Sequence, residues 1–196
     1  MPVAEHVWSM LSFSQRLVGV FSVSREGLLA YQTGETNTEH QLTWFSRSGK
    51  RLETLGEPGD FRGLDLSPDG KTVATTRLSG NTDIWTYDVA RRLASRFTFG
   101  AFGASGVWSA DGHRIAFQAE LHAHVDLYQK ASDGTGNEEL LYADEATKTP
   151  LSWAPDGRFL LFFRIDPALH TQRDIWLLRL EPASNSKAEP WFGNSV

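Results

Sequence analysis

A five-residue pattern that ends in Asp-Gly recurs three times along the chain. It reads Leu-Ser-Pro-Asp-Gly at 66–70, Trp-Ser-Ala-Asp-Gly at 108–112 and Trp-Ala-Pro-Asp-Gly at 153–157, and a weaker copy, Val-Ser-Arg-Glu-Gly, lies at 23–27. The glycines that end the four copies are about 43 residues apart. A constant period of this length is typical of chains built from repeated supersecondary units.

The same series of short apolar segments surrounds each copy. One segment precedes the turn and another follows it directly. A third segment combines an acidic, an aliphatic and an aromatic residue: Asp-Ile-Trp at 83–85, Asp-Leu-Tyr at 126–128 and Asp-Ile-Trp at 174–176, with Gln-Leu-Thr-Trp-Phe at 41–45 in the first copy. A further turn and a fourth segment complete the unit. Four short strands in a repeat of this length indicate a β-propeller blade.

The sequence therefore predicts an all-β chain that forms a β-propeller with about four four-stranded antiparallel blades, as a partial ring or as half of a dimeric ring. We expect one propeller domain or propeller fragment over 1–196, with blades at about 16–58, 61–100, 104–143 and 149–193. Residues 1–10 are interpreted as a spare outer strand of a preceding or closing blade. No apolar pattern with a helical period continues over ten residues.

The recurring residues are interpreted as determinants of the fold. Glycine after aspartate favours a hairpin because glycine adopts positive φ without steric cost. The aspartate before each aliphatic–aromatic pair is predicted to accept hydrogen bonds from turn or loop amides. The small residues Gly63, Gly106 and Ser152 are predicted to let backbones approach closely. The structural motif comprises Ser67, Pro68, Asp69, Gly70, Asp111, Gly112, Asp156, Gly157, Asp83, Trp85, Asp126, Tyr128, Asp174 and Trp176.

Composition excludes several classes of protein. The net charge of −5 argues against nucleic-acid binding, and the absence of cysteine excludes disulfides, thiolate ligands and a thiol nucleophile. No apolar run approaches the ~18 residues of a membrane span, so no membrane insertion is expected. The chain carries no Gly-x-Ser-x-Gly, phosphate-binding loop or His-Glu-x-x-His motif. We therefore predict no catalytic residue and no cofactor.

The histidines provide the one candidate metal site. His122, His124 and Asp126 lie at alternating positions, which share one face of a strand, and both residue types are ligands of zinc. The favoured interpretation is that the histidines lie in an exposed loop and that the aspartate is the recurring blade residue. His40 and His170 occupy the matching loops of the first and fourth repeats, where a pH-sensitive binding face is the alternative to solvated loop residues.

At Ser-Pro-Asp-Gly (67–70) and its copies, the chain resembles the TolB-type, WD-like propeller repeat family over about residues 18–193. The segments 41–45, 56–60 and 126–130 are similar to the propeller region that follows a transmembrane helix in certain bacterial serine/threonine protein kinases. That resemblance implies a non-catalytic, extracytoplasmic (periplasmic) sensing or interaction module. The chain itself contains no kinase motifs, and its four repeats are fewer than the six or more of most TolB-like rings.

Two functions remain open at this stage. The first is a non-catalytic module that binds a protein or peptide partner or senses a ligand. The second is a gating propeller of a prolyl-oligopeptidase-type serine peptidase, whose hydrolase domain would lie elsewhere. Partner binding is expected on the loops near 33–39, 79–82, 120–124 and 167–172. A homodimer that completes an eight-bladed ring would bury the exposed faces of the end blades.

Overall fold

The computed structural model describes residues 9–11, 17–19, 21–23, 29–33, 39–99, 102–121, 124–166, 174–180 and 187–190. These residues form β-strands, turns and loops and include no helix, which confirms the all-β prediction. The chain divides into two compact units, residues 1–100 and 101–196.

The first unit contains a seven-stranded antiparallel sheet whose strands follow chain order. The strands are β3 (Phe21–Val23), β4 (Leu29–Thr33), β5 (His40–Phe45), β6 (Arg51–Leu66), β7 (Thr72–Ser79), β8 (Asn81–Asp88) and β9 (Leu93–Arg96). A separate two-stranded sheet pairs β1 (Ser9–Leu11) with β2 (Leu17–Gly19).

Strand β6 belongs to two four-stranded groups. Its first part, up to Gly59, pairs with β5, whereas its second part, from Asp60, pairs with β7. We name the group β3, β4, β5 and the first part of β6 blade 1. The second part of β6 with β7, β8 and β9 is blade 2. The chain thus passes from one predicted repeat to the next within a single continuous strand.

The second unit contains two four-stranded antiparallel sheets, each again in chain order. Blade 3 consists of β10 (Gly103–Trp108), β11 (Arg114–Ala119), β12 (Asp126–Ala131) and β13 (Glu139–Tyr142). Blade 4 consists of β14 (Thr147–Trp153), β15 (Phe159–Ile165), β16 (Asp174–Arg179) and β17 (Lys187–Pro190). The four-stranded antiparallel repeat predicted from the sequence is therefore present.

The first repeat departs from its predicted strand. The apolar segment that precedes the first turn, Val-Gly-Val-Phe at 18–21, was expected to form the first strand of its repeat. Instead, β2 pairs with β1 through Val18, and a separate strand, β3, pairs with β4 through Phe21. The described residues on either side of position 20 therefore belong to two different sheets. The spare outer strand expected in residues 1–10 falls mostly outside the described residues, of which only 9 and 10 are strand.

The core of each unit forms between two blades. Because side chains alternate across a strand, each blade has two faces, and one of them packs against the other blade of the same unit. In the first unit, the buried core comprises Leu42, Trp44 and Leu55 of blade 1 with Phe61, Leu66, Val73 and Tyr87 of blade 2. In the second unit it comprises Val107, Ala116 and Leu127 of blade 3 with Leu160, Phe162 and Leu178 of blade 4.

The strand before each Asp-Gly turn carries a β-bulge at the same place in blades 2, 3 and 4. The register shifts between Arg62 and Leu64, between Ala104 and Val107, and between Pro150 and Ser152. Gly63 adopts φ +61°, and a Cβ added there would meet no other described atom within 4 Å. The expectation that Gly63 permits a close backbone approach is therefore wrong, because its role is to supply the positive φ of the bulge.

Candidate functional site

The first recurrent site is the turn that contains Asp69 in blade 2. The amide of Gly70 donates to the carbonyl of Ser67 (2.8 Å), and Gly70 adopts φ +72°. The Ser67 hydroxyl donates to Asp69 Oδ1 (2.7 Å) and accepts from the amide of Thr72 (2.9 Å). Pro68 takes the second turn position, where its fixed φ is suitable. The motif is thus a closed hydrogen-bonded unit that stabilises a hairpin.

Blade 3 repeats this unit, and blade 4 modifies it. Ser109 donates to Asp111 Oδ1 (2.6 Å), and the hydroxyl accepts from a backbone amide on the following strand. The pKa values of Asp69 and Asp111 are lowered, mainly by the hydrogen bond from the serine hydroxyl and next by a hydrogen bond from a backbone amide. In blade 4, Ala154 replaces the serine. There the pKa of Asp156 is lowered first by the amide of Arg158 and then by its guanidinium.

The aspartate that begins the third strand has a different partner in each blade. In blade 2, Asp83 is buried and accepts from Arg96 Nη2 (2.6 Å) and from the Thr98 hydroxyl (3.3 Å). The Thr98 hydroxyl in turn accepts from the amide of Ile84 (2.9 Å). We expected amide donors for this carboxylate, but its donors here are side chains. Within the described part of the chain, the carboxylate is connected to the backbone through Thr98.

In blade 3 the corresponding Asp126 binds a fully buried lysine. Lys148 Nζ, on the first strand of blade 4, lies 2.6 Å from Asp126 Oδ1 and 3.0 Å from Asp144 Oδ1. It also donates to the carbonyls of Asp144 (2.7 Å) and Ala146 (2.6 Å). A buried ammonium group requires counter-charges and hydrogen-bond acceptors because burial removes its water. Lys148 therefore connects the third strand of blade 3 to the segment that leads into blade 4.

Asp144 links this lysine to a second cation. Arg164 Nε donates to Asp144 Oδ2 (2.8 Å), and Arg164 Nη1 donates to Asp166 (2.9 Å). Burial opposes ionisation of Asp144, but hydrogen bonds from Arg164 and Lys148 outweigh it and hold its pKa at about 2. Burial, together with the hydrogen bond to Asp144, raises the pKa of Tyr142 to about 12. At neutral pH the Asp144 carboxyl is therefore ionised, whereas the Tyr142 hydroxyl keeps its proton.

The aromatic residues of the motif are buried to different extents. Tyr128 is buried and stacks on Phe117, with ring centroids 6.3 Å apart. Trp85 and Trp176 are half-buried, and each lies beneath a guanidinium: Arg77 at 5.3 Å and Arg164 at 4.8 Å. Asp174 is exposed at the start of β16.

The candidate metal ligands are not brought together in the part of the chain that the structure describes. Asp126 is engaged by Lys148, His124 is exposed, and His122 lies outside the described residues, as does His170. Among the described side chains, no group of three carboxylates or imidazoles could hold a metal ion. His40, expected in a loop, is the buried first residue of β5, and burial lowers the pKa of its imidazole.

The most elaborate polar network was missed by the sequence analysis. Lys148 lies in the segment Ala-Thr-Lys-Thr-Pro (146–150), which resembles an ordinary exposed loop. The only signal was the acidic residues Asp126 and Asp144, which require cations if they are buried. None of the described residues belongs to a helix that could cross a membrane.

Comparison with known proteins gives a consistent result. No protein-family model matches the chain. It is 33% identical over 109 residues to the Tol-Pal system protein TolB of Anaeromyxobacter sp. (strain K), a match that covers 54% of this chain and 24% of that protein. The crystal structure of TolB from Acinetobacter baumannii superimposes with a TM-score of 0.71 at 16% identity, covering 87% of this chain and 43% of that one.

A solved peptidase structure is also similar, with a lower TM-score than TolB. A prolyl endopeptidase structure superimposes with a TM-score of 0.59 at 16% identity, covering 82% of this chain and 26% of that one. The present chain spans about a quarter of the length of the TolB relatives that it matches in sequence. The repeated four-stranded blades and these similarities together identify a TolB-like β-propeller fold.

Proposed function

We propose that this chain is a non-catalytic interaction or ligand-sensing module that binds a protein or peptide partner. The observation that carries the proposal is the similarity to TolB, which is found in sequence as well as in fold. Propellers present loops from the ends of many strands on one surface, an arrangement suited to binding a large partner.

The hydrogen-bond partners of three aspartates support this proposal. Asp83 is held by Arg96, Asp126 by Lys148 and Asp144 by Arg164. A general acid or base must reach the proton of a substrate. These carboxylates instead direct their oxygens toward cations of the fold, and their role is to position strands.

We further propose that the module is the extracytoplasmic sensor part of a larger bacterial protein of the serine/threonine kinase type. The support is the resemblance of segments 41–45, 56–60 and 126–130 to the propeller region of such kinases. Sequencing the genomic DNA on both sides of the coding segment tests this assignment. A kinase domain and a transmembrane helix encoded upstream in the same reading frame would support it, whereas their absence would refute it.

Partner binding is tested on the loops that join second and third strands. In blade 2 this loop is a tight turn in which Gly80 adopts φ +82° and Asn81 is exposed. Peptides selected by phage display on the folded protein should lose affinity for Asn81→Arg. They should retain affinity for Arg91→Glu, a matched exposed substitution in the turn at the opposite ends of the strands. Equal binding to both variants would place the binding surface elsewhere.

The second candidate function is a gating propeller of a prolyl-oligopeptidase-type peptidase. The observation that favours it is the structural similarity to a prolyl endopeptidase. It requires an α/β-hydrolase domain in the same gene, so the same flanking sequence distinguishes the two functions.

A further inference from the structure

Three arginines in the described part of the chain are half-buried, and the guanidinium group of each lies over an aromatic ring: Arg77, Arg96 and Arg164. Two of them are also paired with carboxylates, Arg96 with Asp83 and Arg164 with Asp144 and Asp166. Arg77 forms no ion pair with any described carboxylate. A guanidinium group that is partly removed from water requires a counter-charge, and Arg77 has none among these residues.

Arg77 and Arg164 hold equivalent positions in blades 2 and 4. In the strand register, each pairs with the aspartate that begins the third strand, Asp83 or Asp174. Each also lies over the tryptophan two residues after that aspartate, at 5.3 Å and 4.8 Å from the ring centre. The two blades therefore share the arginine and the ring and differ in what neutralises the arginine.

The carboxylates that neutralise Arg164 have no effective counterpart in blade 2. Asp166 lies two residues after Arg164, and the residue two after Arg77 is Ser79, which carries no charge. Asp144 lies 20 residues before Arg164, and the residue at that distance from Arg77 is Glu57, which is exposed and forms no ion pair with a described residue. The nearby Asp83 is already occupied by other side chains.

Neutral groups surround the guanidinium group of Arg77. It lies 5.9 Å from the centre of the Phe61 ring, and a Cβ added to Gly59 would lie 3.3 Å from Arg77 Nε. Burial raises the pKa of Tyr87, which also interacts with Arg77, so its hydroxyl stays neutral and does not balance the charge. Two covered donors, Arg77 Nε and Trp85 Nε1, have no acceptor among the described residues. Such donors are rare in folded proteins, so this group lacks both a negative charge and acceptor oxygens.

We propose that Arg77 binds a carboxylate of a peptide partner over the Trp85 ring, at the end of the blade 2 hairpin. A carboxylate supplies the missing charge and two acceptor oxygens, and it matches the planar guanidinium group. Arg77 and Trp85 are both half-buried, and Arg77 lies two residues from the exposed turn at 79–81, from which a bound peptide can reach it. This inference rests on the proposed interaction function and names the chemistry of the partner.

The first test is a titration of isotope-labelled protein with short peptides, followed by nuclear magnetic resonance. The reporter is the indole N–H signal of Trp85, assigned as the signal that Trp85→Phe lacks. Acetyl-Leu-Glu-Leu-amide presents a side-chain carboxylate, acetyl-Leu-Leu with a free carboxyl end presents a terminal carboxylate, and acetyl-Leu-Gln-Leu-amide presents neither. A saturable shift is expected with a carboxylate peptide and not with the glutamine peptide, and the responding peptide identifies the kind of carboxylate. No shift with either carboxylate peptide, or an equal shift with all three, would overturn the proposal.

The second test removes the guanidinium group. Arg77→Met retains much of the apolar stem and should weaken binding of the responding peptide by roughly tenfold or more, because hydrogen bonds to a charged group are lost. The matched control is Arg179→Met. Arg179 is exposed, lies 5.2 Å from the centre of the Phe159 ring and forms no ion pair with a described residue, so its loss should leave binding unchanged. Equal affinity of Arg77→Met and the native chain would contradict the assignment.

Urea denaturation separates binding from a structural role. Arg164→Met leaves Asp144 and Asp166 without their arginine and should lower the urea midpoint. Arg77→Met leaves no carboxylate unpaired, so its midpoint should fall much less. A fall as large as that of Arg164→Met would assign Arg77 to the fold and would count against a binding role.

Failure of this inference and failure of the proposed interaction function give different results. Peptides selected on the folded protein that bind Arg77→Met as tightly as the native chain would overturn the carboxylate site and leave the interaction function in place. If selection yields no peptide, the interaction function loses support, while the titration still decides whether Arg77 binds a carboxylate.

Discussion

Replacing Lys148 with methionine should be among the most destabilising single substitutions in the second unit. Lys148 is fully buried, and its ammonium group touches two carboxylates and the carbonyls of Asp144 and Ala146. Methionine has a similar length but no charge. In the variant, Asp144 retains Arg164, whereas Asp126, whose side chain is 6% exposed, loses its only cation among the described residues.

The expected cost follows from the carboxylate left behind. Removing one partner of a buried ion pair typically costs about 3–5 kcal/mol, because the remaining charge is neither solvated nor paired. Replacing both partners by neutral groups costs much less. We therefore expect K148M to lower the free energy of unfolding by about 3–5 kcal/mol at pH 7, and D126N/K148M to recover at least about 1.5 kcal/mol of that loss.

Urea denaturation followed by tryptophan fluorescence measures these free energies, since the chain contains seven tryptophans. The matched control is Lys71→Met. The Lys71 side chain is 80% exposed, and its ammonium lies 3.5 Å from Asp69, so the loss should stay below about 1 kcal/mol. A loss for K148M as small as that for K71M would refute the reasoning, as would a double variant no more stable than K148M.

Three further predictions concern the turns, the glycines and acid. Ser109→Ala removes a hydroxyl with two hydrogen bonds and should cost about 1 kcal/mol, whereas Ala154→Ser, which introduces that hydroxyl in blade 4, should raise the urea midpoint. Gly56→Ala and Gly63→Ala both force alanine into positive φ, but an added Cβ at Gly56 lies 2.6 Å from the ring of a buried tyrosine. Gly56→Ala should therefore lower the free energy of unfolding by more than the loss of about 1 kcal/mol expected for Gly63→Ala, as measured by urea denaturation. The pKa of Asp144 is depressed to about 2, so its ionised carboxylate contributes on the order of 2 kcal/mol to the free energy of unfolding. This contribution is fully present above about pH 4 and is lost as the pH falls toward 2. Asp144→Asn should thus be less stable than the native chain at pH 7 and should lose less stability between pH 4 and pH 2, as measured by urea midpoints; equal losses would contradict this.

The repeated turn could be predicted from sequence because its interactions are local. The bonds that join Ser67, Asp69, Gly70 and Thr72 span at most five residues. The alternation of apolar residues likewise indicated the strands. The split of the first predicted strand was not foreseeable, because the pairing of Val18 with β1 and of Phe21 with β4 depends on which strand lies nearby.

The sequence by itself determined the blade repeat, since glycine with positive φ and alternating apolar side chains specify hairpins wherever they occur. Only the tertiary structure decided how each recurring position is used. Asp126 and Lys148 are 22 residues apart, and neither residue indicates that packing will bury them together. In the same way, Leu127 and Ile175 look equivalent in sequence, yet one is buried and the other is exposed. The physical reason is that burial depends on the neighbouring blade, which no local pattern records.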